Sequence, residues 1–325
     1  MRTESVVVTG AAGFIGSHLC ERLLDEGHAV TGVDSFTDYY SPARKRRNLD
    51  ALRGRAGFRF VEEDLVTADL DRQLEGAGGV FHLAAQAGVR ASWGKDFKPY
   101  LDSNVFAVQR LLEAVKGRPG TRIVHASSSS VYGETAELPT GEDAAKTPRS
   151  PYGATKLAAE HLLELYRLGF GVTYRALRFF TVYGPRQRPD MAFSRFIEAG
   201  LAGEPIEVYG DGSQTRDFTY VADAVEAAVL AYRYDGPETV FNVGGGSRTA
   251  LGDVIGVIAA ELGVRFDVRG APRAKGDVAD TFADTSRARR ELGFAPRVAI
   301  AEGIRNEIAW YRAYAAEREG RTGSP

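Results

Sequence analysis

The 325-residue chain contains only one cysteine, Cys20, and five histidines. A single cysteine cannot form an internal disulfide, so a disulfide framework is excluded and a reducing compartment is favoured. Because Cys20 falls in a predicted helix, we expect it to be a small buried hydrophobe. The histidines lack the spacing of metal ligands, and His82 and His125 fall in predicted strands as packed residues. No metal site is therefore predicted.

Long apolar runs and an excess of charge of either sign are also missing. No stretch approaches the roughly 18 apolar residues that a membrane-spanning helix needs, and the first residues lack the pattern of a secretory signal. Lysine plus arginine (41) nearly equals aspartate plus glutamate (43), which gives a net charge of -2. This balance gives no bulk attraction for nucleic acid or anionic membranes. We expect a cytoplasmic protein with neither nucleic acid nor membrane as a partner.

What the chain does contain is an alternation of short β-branched runs with amphipathic stretches. The predicted helices cover residues 14–26, 100–116 and 152–168, and the predicted strands cover residues 5–9, 29–33, 58–61, 79–83, 122–126 and 172–178. This alternation predicts parallel strands joined by right-handed crossovers, with helices on both faces of the sheet. The expected fold class is α/β: a Rossmann-type doubly wound parallel sheet with a smaller α/β substrate-binding domain.

The texture changes after Thr181, where loops rich in glycine and proline separate shorter elements. A helix at 220–233 and a strand at 240–243 are expected to return to the sheet, which makes both domains discontinuous. We assign residues 1–181 and about 218–243 to the Rossmann domain, and about 182–217 and 244–316 to the substrate domain. The charged residues 317–325 are expected to form a frayed tail.

A glycine-rich turn, TGAAGFIG at residues 9–16, directly follows the first predicted strand and opens the first helix. Gly10 allows the tight turn, Gly13 lets the backbone approach a pyrophosphate, and Gly16 permits close packing of the helix on the strand. The amides at the helix start, at Phe14 and Ile15, are expected to face the phosphates. The turn therefore predicts a dinucleotide site.

Asp34 indicates which dinucleotide binds. It ends the second predicted strand, 18 residues after Gly16, close to the ~20 expected of an acid that binds the adenosine ribose hydroxyls. A carboxylate there repels a 2'-phosphate, so NAD is favoured over NADP, although the basic run at 44–47 is an opposing indication. Further cofactor contacts are expected at the carboxyl ends of the next two strands, from Asp64, Leu65, Leu83, Ala84 and Ala85.

The predicted catalytic residues follow the fifth strand, which ends in four serines at 127–130. Tyr152 and Lys156 lie four residues apart and hence on one face of the next helix, where they also border the cofactor. A neighbouring ammonium and an oxidised nicotinamide would lower the pKa of a tyrosine from about 10. Tyr152, assisted by Ser128, can then accept a hydroxyl proton as hydride leaves the carbon. An isolated Tyr/Lys pair is more often a solvated helix face, and the preceding motifs favour the catalytic interpretation here.

Together these motifs resemble the extended short-chain dehydrogenase/reductase family, and the resemblance runs from Val6 to about Tyr311. The most similar members are nucleotide-sugar epimerases that act on UDP-glucuronate, on the segments DSFTDYY (34–40), QAGVR (86–90) and RFFTVYGPRQRPD (178–190). Related 4,6-dehydratases have Asp-Glu where this chain has Ser129 and Ser130. Decarboxylases usually have Glu at position 130, and many UDP-glucose epimerases have Asn in place of Thr181.

The resemblance implies a UDP-sugar substrate, tightly bound NAD and a homodimer. Hydroxyls at Ser129, Ser130 and Thr181, with Arg90 or Arg188 nearby, would bind the sugar carboxylate, although capping of the strand end is a competing interpretation for Ser129. In the second domain, the family pattern implies substrate contacts from Tyr209, Arg216 on the diphosphate, and Asp277 on the ribose. The chain has Ala274 where relatives commonly have arginine, so Arg273 or Lys275 would have to make the second phosphate contact.

The function implied is NAD-dependent 4-epimerisation of UDP-glucuronate to UDP-galacturonate through a transient 4-keto intermediate. A UDP-glucose 4-epimerase and a UDP-glucuronate decarboxylase are the alternatives. A non-catalytic NAD-binding regulator is disfavoured, because such a protein would be free to lose Tyr152 or Lys156 and this chain has both.

Overall fold

The computed structural model describes residues 4–135 and 137–322. Its strands are β1 (Ser5–Thr9), β2 (Ala29–Asp34), β3 (Phe58–Glu62), β4 (Gly79–His82), β5 (Arg122–Ser128), β6 (Thr173–Phe179), β7 (Thr181–Tyr183), β8 (Ile206–Tyr209), β9 (Thr215–Tyr220), β10 (Val240–Val243), β11 (Arg248–Ala250) and β12 (Val268–Ala271). Its α-helices are α1 (Phe14–Asp25), α2 (Pro42–Asn48), α3 (Leu70–Gln73), α4 (Lys98–Leu101), α5 (Ala107–Val115), α6 (Pro151–Phe170), α7 (Ala192–Ala202), α8 (Val221–Arg233), α9 (Leu251–Leu262), α10 (Ser286–Leu292) and α11 (Ile300–Thr322).

The main sheet has seven strands in the order β10-β6-β5-β4-β1-β2-β3, and every neighbouring pair is parallel. The direction of winding reverses between β1 and β4, which creates a crevice at the carboxyl ends of these strands where ligands bind in open α/β sheets. The doubly wound parallel sheet predicted from the sequence is confirmed.

Helices cover both faces of this sheet because its strands are apolar on both faces. In β1, Val6 and Val8 belong to the core under α1 and α8. Val7 points the other way, into the core under α5 and α6. The two cores hold the sheet rigidly, so the side chains at the strand ends have fixed positions.

The helix predicted at 100–116 is not continuous. A π-helical turn, Asp102–Phe106, separates α4 from α5. The buried side chain of Asn104 in this turn accepts a hydrogen bond from the Gln86 amide (2.8 Å) and donates to the Gln86 carbonyl (2.9 Å) and to Thr155 Oγ1 (3.0 Å). This turn therefore ties the loop after β4 to α6.

After β6 the chain builds a separate layer, in which β9 lies between β7 and β11, and β8 pairs with β12. A third core fills the space among α7, α9 and α11, with Phe193, Ile258 and Ile308 at its centre. The strand β9 runs through the boundary predicted at 217/218, and α8 and β10 pack with the main sheet. The division into two domains at the predicted positions stays a prediction.

The frayed tail predicted at 317–325 stays a prediction. Residues 317–322 belong to α11, because the alanine, glutamate and arginine residues after Trp310 all have high helix propensity. Residues 323–325 lie outside the described part of the chain. Within that part, a search of the helices found none with both the length and the apolar character of a membrane span.

A buried ion pair holds α6 against the sheet. Arg178 Nη2 lies 2.6 Å from Glu160 Oε2, and the two side chains are 3% and 7% exposed. Ser127 also donates to Glu160, and Arg178 Nη1 donates to the Tyr132 hydroxyl at 2.8 Å. The Glu160 carboxylate and the Arg178 guanidinium are therefore hydrogen-bonded to other groups as well as to each other. Such additional hydrogen bonds offset the cost of burying two charges.

Replacing Glu160 with glutamine should lower the free energy of unfolding by about 3–5 kcal/mol, because Arg178 would stay buried without its counterion. The matched control is Glu164→Gln on the next turn of α6, where the pair with Arg167 is exposed and should contribute about 0–1 kcal/mol. Urea unfolding followed by circular dichroism measures both. Equal losses in the two variants would contradict the assigned importance of the buried pair.

Candidate functional site

A cavity of about 290 Å³ follows the carboxyl ends of β1, β2 and β4 and reaches the start of α6. All the residues predicted to contact the cofactor line it, namely Gly10, Gly13, Phe14, Ile15, Gly16, Asp34, Asp64, Leu65, Leu83, Ala84, Ala85, Tyr152 and Lys156. We call this space the cofactor cavity. The sheet thus brings together residues that are spread over about half of the chain.

The glycine turn gives one end of the cofactor cavity the shape that a pyrophosphate needs. Gly10 has φ +72°, and a Cβ on Gly16 would lie 2.1 Å from the Gly10 carbonyl oxygen. Gly13 is the N-cap of α1 and provides no side chain to cap it. The first amides of α1 are therefore available to an anion at the positive end of the helix dipole.

Asp34 is held rigidly at the next strand end. Its Oδ2 accepts a hydrogen bond from the Ala12 amide (3.1 Å), and its Oδ1 accepts one from the Phe36 amide (2.9 Å). Burial raises the pKa of this carboxyl, while the nearby Lys45 ammonium acts in the opposite direction. The fixed carboxylate has the position expected of a ribose-binding acid.

Of the basic run at 44–47, Lys45 lines the cofactor cavity, where it donates to Thr37 O and Thr37 Oγ1, both at 2.9 Å. The arginines make other contacts: Arg44 pairs with Glu198, Arg46 stacks on Phe36, and Arg47 stacks on Tyr314. These contacts weaken the indication of an NADP-binding basic cluster.

The helix α6 places Tyr152 and Lys156 in the cofactor cavity. It starts at Pro151, after the Ser150 hydroxyl has accepted a hydrogen bond from the Gly153 amide (3.1 Å), so its first turn is fixed. The Lys156 ammonium donates to the Ala126 carbonyl at 2.8 Å. Burial lowers the pKa of Lys156 to about 8, against the opposing charge of Glu160.

The surroundings of Tyr152 differ from the expectation that Lys156 lowers the pKa of its phenol. Burial raises the pKa of Tyr152, whereas a hydrogen bond with Ser128 and the charge of Arg188 act to lower it. Lys156 points instead to the carbonyl of Ala126. Arg188 thus acts on the phenol as a cation in this structure, and the effect of Lys156 with bound cofactor stays a prediction.

A second, smaller cavity of about 160 Å³ adjoins the end of the serine run. It is lined by five residues predicted to contact the substrate, namely Ser129, Ser130, Thr181, Arg216 and Asp277. We call this space the sugar cavity. Ser128 follows Ser127, which lines the cofactor cavity, and precedes Ser129, which lines the sugar cavity. Its hydroxyl interacts with Tyr152 and acts to lower the pKa of the phenol.

The two arginines expected beside these hydroxyls each pair with an aspartate. Arg188 lines the cofactor cavity and forms two hydrogen bonds of 2.9 Å with Asp190. Arg90 stacks on Tyr209 at 3.8 Å and pairs with Asp277 at 2.7 Å. Asp277 itself lines the sugar cavity, so Arg90 is paired at the border of that cavity, and a contact of Arg90 or Arg188 with the sugar carboxylate stays a prediction.

Arg216 lines the sugar cavity as predicted for a diphosphate contact. Its guanidinium donates to the carbonyls of Thr215, Ala279 and Val278, each at 2.8 Å. These bonds fix the guanidinium in place, and the diphosphate role of Arg216 stays a prediction.

Sequence analysis missed several site residues. Tyr39 lines the cofactor cavity and donates to Asp190 Oδ2 at 3.1 Å, and Arg149 lines the sugar cavity. Asn104 bridges two site elements through the π-helical turn. Because Arg149 lies three residues before Tyr152, its closeness to the site could have been predicted from the sequence. Tyr39 and Asn104 have no such spacing to a predicted site residue.

The predicted packed histidines lie beneath the site. The His82 and His125 rings stack at 5.3 Å, each residue is 1% exposed, and His82 Nδ1 lies 2.8 Å from Thr9 Oγ1. Burial lowers the pKa of His82 to about 3 and that of His125 well below its usual value. Both rings are therefore neutral. A search of the described residues for metal-ligating clusters of three or more found none.

Comparison with known proteins identifies the family. The model of the NAD dependent epimerase/dehydratase family matches residues 6–244. A protein of Bacillus subtilis (strain 168) described as an uncharacterised UDP-glucose epimerase is 46% identical, over 94% of this chain and 97% of its own length. UDP-glucuronate 4-epimerase of Thermodesulfobacterium geofontis is 37% identical, over 94% of this chain and 95% of its own.

A solved structure is also similar. UDP-glucuronic acid 4-epimerase from Bacillus cereus, in complex with UDP-glucuronic acid and NAD, superposes with a TM-score of 0.91 at 40% identity. The match covers 95% of this chain and 99% of that one. The predictions of the extended short-chain dehydrogenase/reductase family and of an NAD-dependent enzyme are confirmed. The chain belongs to the NAD dependent epimerase/dehydratase family.

Proposed function

We propose that this enzyme converts UDP-glucuronate to UDP-galacturonate by 4-epimerisation through a transient 4-keto sugar. The observation that carries the proposal is the lining of the sugar cavity by Ser129, Ser130 and Thr181, directly after Ser128, which interacts with Tyr152. Hydroxyls can bind a carboxylate, and positions 129 and 130 lack the acid and base that elimination of water requires. The related UDP-glucuronate 4-epimerases support the same substrate.

The cofactor cavity fits NAD. The glycine turn and the start of α1 would hold the pyrophosphate, and a Cβ at Gly10 or Gly16 would collide with neighbouring backbone. Asp34 would hold the adenosine ribose. When bound there, NAD supplies a reversible hydride acceptor.

Tyr152 would handle the proton of the reacting hydroxyl. The Ser128 hydroxyl and the Arg188 charge both act to lower the pKa of its phenol, against the effect of burial, and so favour the phenolate that takes the proton. Lys156 would bind the adjacent cofactor ribose and keep α6 in register through the Ala126 carbonyl. Because the same proton returns to the sugar oxygen in the second half of the reaction, the site ends the cycle in its initial state.

The carboxylate must be held while the sugar is oxidised. A 4-keto uronate is a β-keto acid, which loses CO2 when its C5'–C6' bond aligns with the carbonyl π system. Hydrogen bonds from Ser129, Ser130 and Thr181 would hold the carboxylate away from that alignment. This positioning is the difference that we propose between epimerisation and decarboxylation.

One alternative has specific support. The 46% identity to the Bacillus subtilis protein favours action on UDP-glucose. The hydroxyls of the sugar cavity favour the uronate, because a neutral hexose needs fewer polar partners. Decarboxylation of UDP-glucuronate needs the carboxylate to be released from the same hydroxyls. The homodimer and the cytoplasmic location expected from the sequence stay predictions.

The purified enzyme incubated with UDP-glucuronate should form UDP-galacturonate without a UDP-pentose, because the carboxylate is retained, and proton NMR of the sugar anomeric signals measures both products. A parallel incubation with UDP-glucose tests the alternative substrate. Conversion of UDP-glucose alone, or release of CO2 as the main reaction, would contradict the proposed function.

Replacing Tyr152 with phenylalanine should lower kcat at least 1,000-fold, since general acid–base transfer of the proton contributes on the order of 10²–10⁴-fold and the product must also be reprotonated. Bound NAD, measured by absorbance after denaturation, should be unchanged. Tyr166→Phe is the matched control, because Tyr166 also lies on α6 but bonds to Glu113 and Gln109 outside the cavities. Turnover by Tyr152→Phe near the normal rate would remove this residue from the mechanism.

Replacing Asp34 with asparagine should weaken NAD binding by about tenfold or more, because a charge-assisted hydrogen bond to the ribose is lost. The preference over NADP should shrink, since the repulsion of a 2'-phosphate is removed. Glu62→Gln at the exposed end of β3 is the control. Calorimetric titration of nucleotide-free protein with each cofactor measures the ratio, and an unchanged ratio would contradict the assignment of Asp34.

A further inference from the structure

A cation beside the hydroxyls of the sugar cavity would strengthen the binding of a uronate carboxylate, and the two arginines expected there each have an acidic partner. Arg188 is bound to Asp190 with both of its hydrogen bonds at 2.9 Å and lies in the cofactor cavity. Arg90 is fixed between the Tyr209 ring and the Asp277 carboxylate. Moving Arg188 to the serine hydroxyls would leave Asp190 without its partner. Arg90 is held by Asp277, an acid that itself lines the sugar cavity, so its charge is already compensated there.

Arg216 lines the sugar cavity, but its guanidinium makes three hydrogen bonds to backbone carbonyls of Thr215, Val278 and Ala279. Burial lowers its pKa, which shows how strongly the surroundings disfavour its charge. Moving the Arg216 guanidinium toward a sugar carboxylate would break these three hydrogen bonds, so we expect Arg216 to keep its present position.

Arg149 also lines the sugar cavity, together with Ser129, Ser130 and Thr181. It directly precedes Ser150, the N-cap of α6, so its backbone is fixed three residues before Tyr152. Its guanidinium lies 3.5 Å from Glu134, and the two side chains are 61% and 53% exposed. An exposed ion pair at this distance contributes little, so the guanidinium can exchange it for a better partner.

We propose that Arg149 is a specificity-determining residue that binds the carboxylate of the uronate substrate. This inference rests on the proposed function, since only a uronate brings a carboxylate into the sugar cavity. A guanidinium presents parallel N–H donors that match the two carboxylate oxygens, while the serine and threonine hydroxyls fix the orientation of the group. Arg149 therefore discriminates between UDP-glucuronate and its neutral counterpart.

The test compares Arg149→Met and Arg149→Lys with the parent enzyme. Methionine keeps an unbranched apolar stem and removes the charge, so kcat/KM for UDP-glucuronate should fall about 10- to 100-fold, mainly through KM. Lysine keeps the charge without the planar fork and should restore part of the loss. The competitive inhibition constant of UDP, which shares the nucleotide half and lacks the sugar, should change less than twofold. The matched control is Arg53→Met, an arginine that is 63% exposed and 3.4 Å from Asp50.

Each outcome decides the proposal. An equal weakening of UDP inhibition and of UDP-glucuronate turnover would place Arg149 on the diphosphate and overturn the inference. Unchanged kinetics in Arg149→Met, or losses matched by Arg53→Met, would overturn it as well. If the parent enzyme does not convert UDP-glucuronate, the proposed function itself fails. The activity of the parent enzyme thus tests the proposed function, and the difference between the parent and the Arg149 variants tests the role of Arg149.

Discussion

The ion pair between Arg178 and Glu160 is the constraint on which the arrangement of the site depends. Glu160 is one turn after Lys156 and two turns after Tyr152 on α6, while Arg178 lies on β6. Ser127 on β5 donates to the same carboxylate. One buried charge pair thus sets the height of α6 over two adjacent strands, and the positions of Tyr152 and Lys156 follow from that height.

The two cavities divide the chemistry that an epimerase of this family needs. The glycine turn, Asp34 and the small residues Ala84 and Ala85 line the cofactor cavity together with larger aromatic side chains. Hydroxyls and arginines dominate the sugar cavity, which suits a polar ligand that must leave. Tyr152 lines the cofactor cavity and interacts with Ser128, the residue that precedes the serines of the sugar cavity.

The sequence was sufficient for the sheet and the cofactor cavity, and physical reasons explain why. Strands such as Ser5–Thr9 are apolar on both faces, and the glycines at 10, 13 and 16 act through the backbone, so each leaves a local signal. The partners of Arg90 and Arg188 could not be predicted, because a long flexible side chain takes whichever acid the fold brings near. Asp277 is 187 positions from Arg90. The π-helical turn at Asn104 was missed for a related reason, since its hydrogen bonds are tertiary.

The serine run at the end of β5 has a consequence for how this family diversifies. Ser127 serves the attachment of α6, Ser128 contacts the catalytic tyrosine, and Ser129 and Ser130 face the sugar. Substitutions at the last two positions can change the accepted sugar while the first two keep the hydride machinery intact. Under the proposed function, positions 129 and 130 are therefore a more direct indication of the accepted sugar than overall identity.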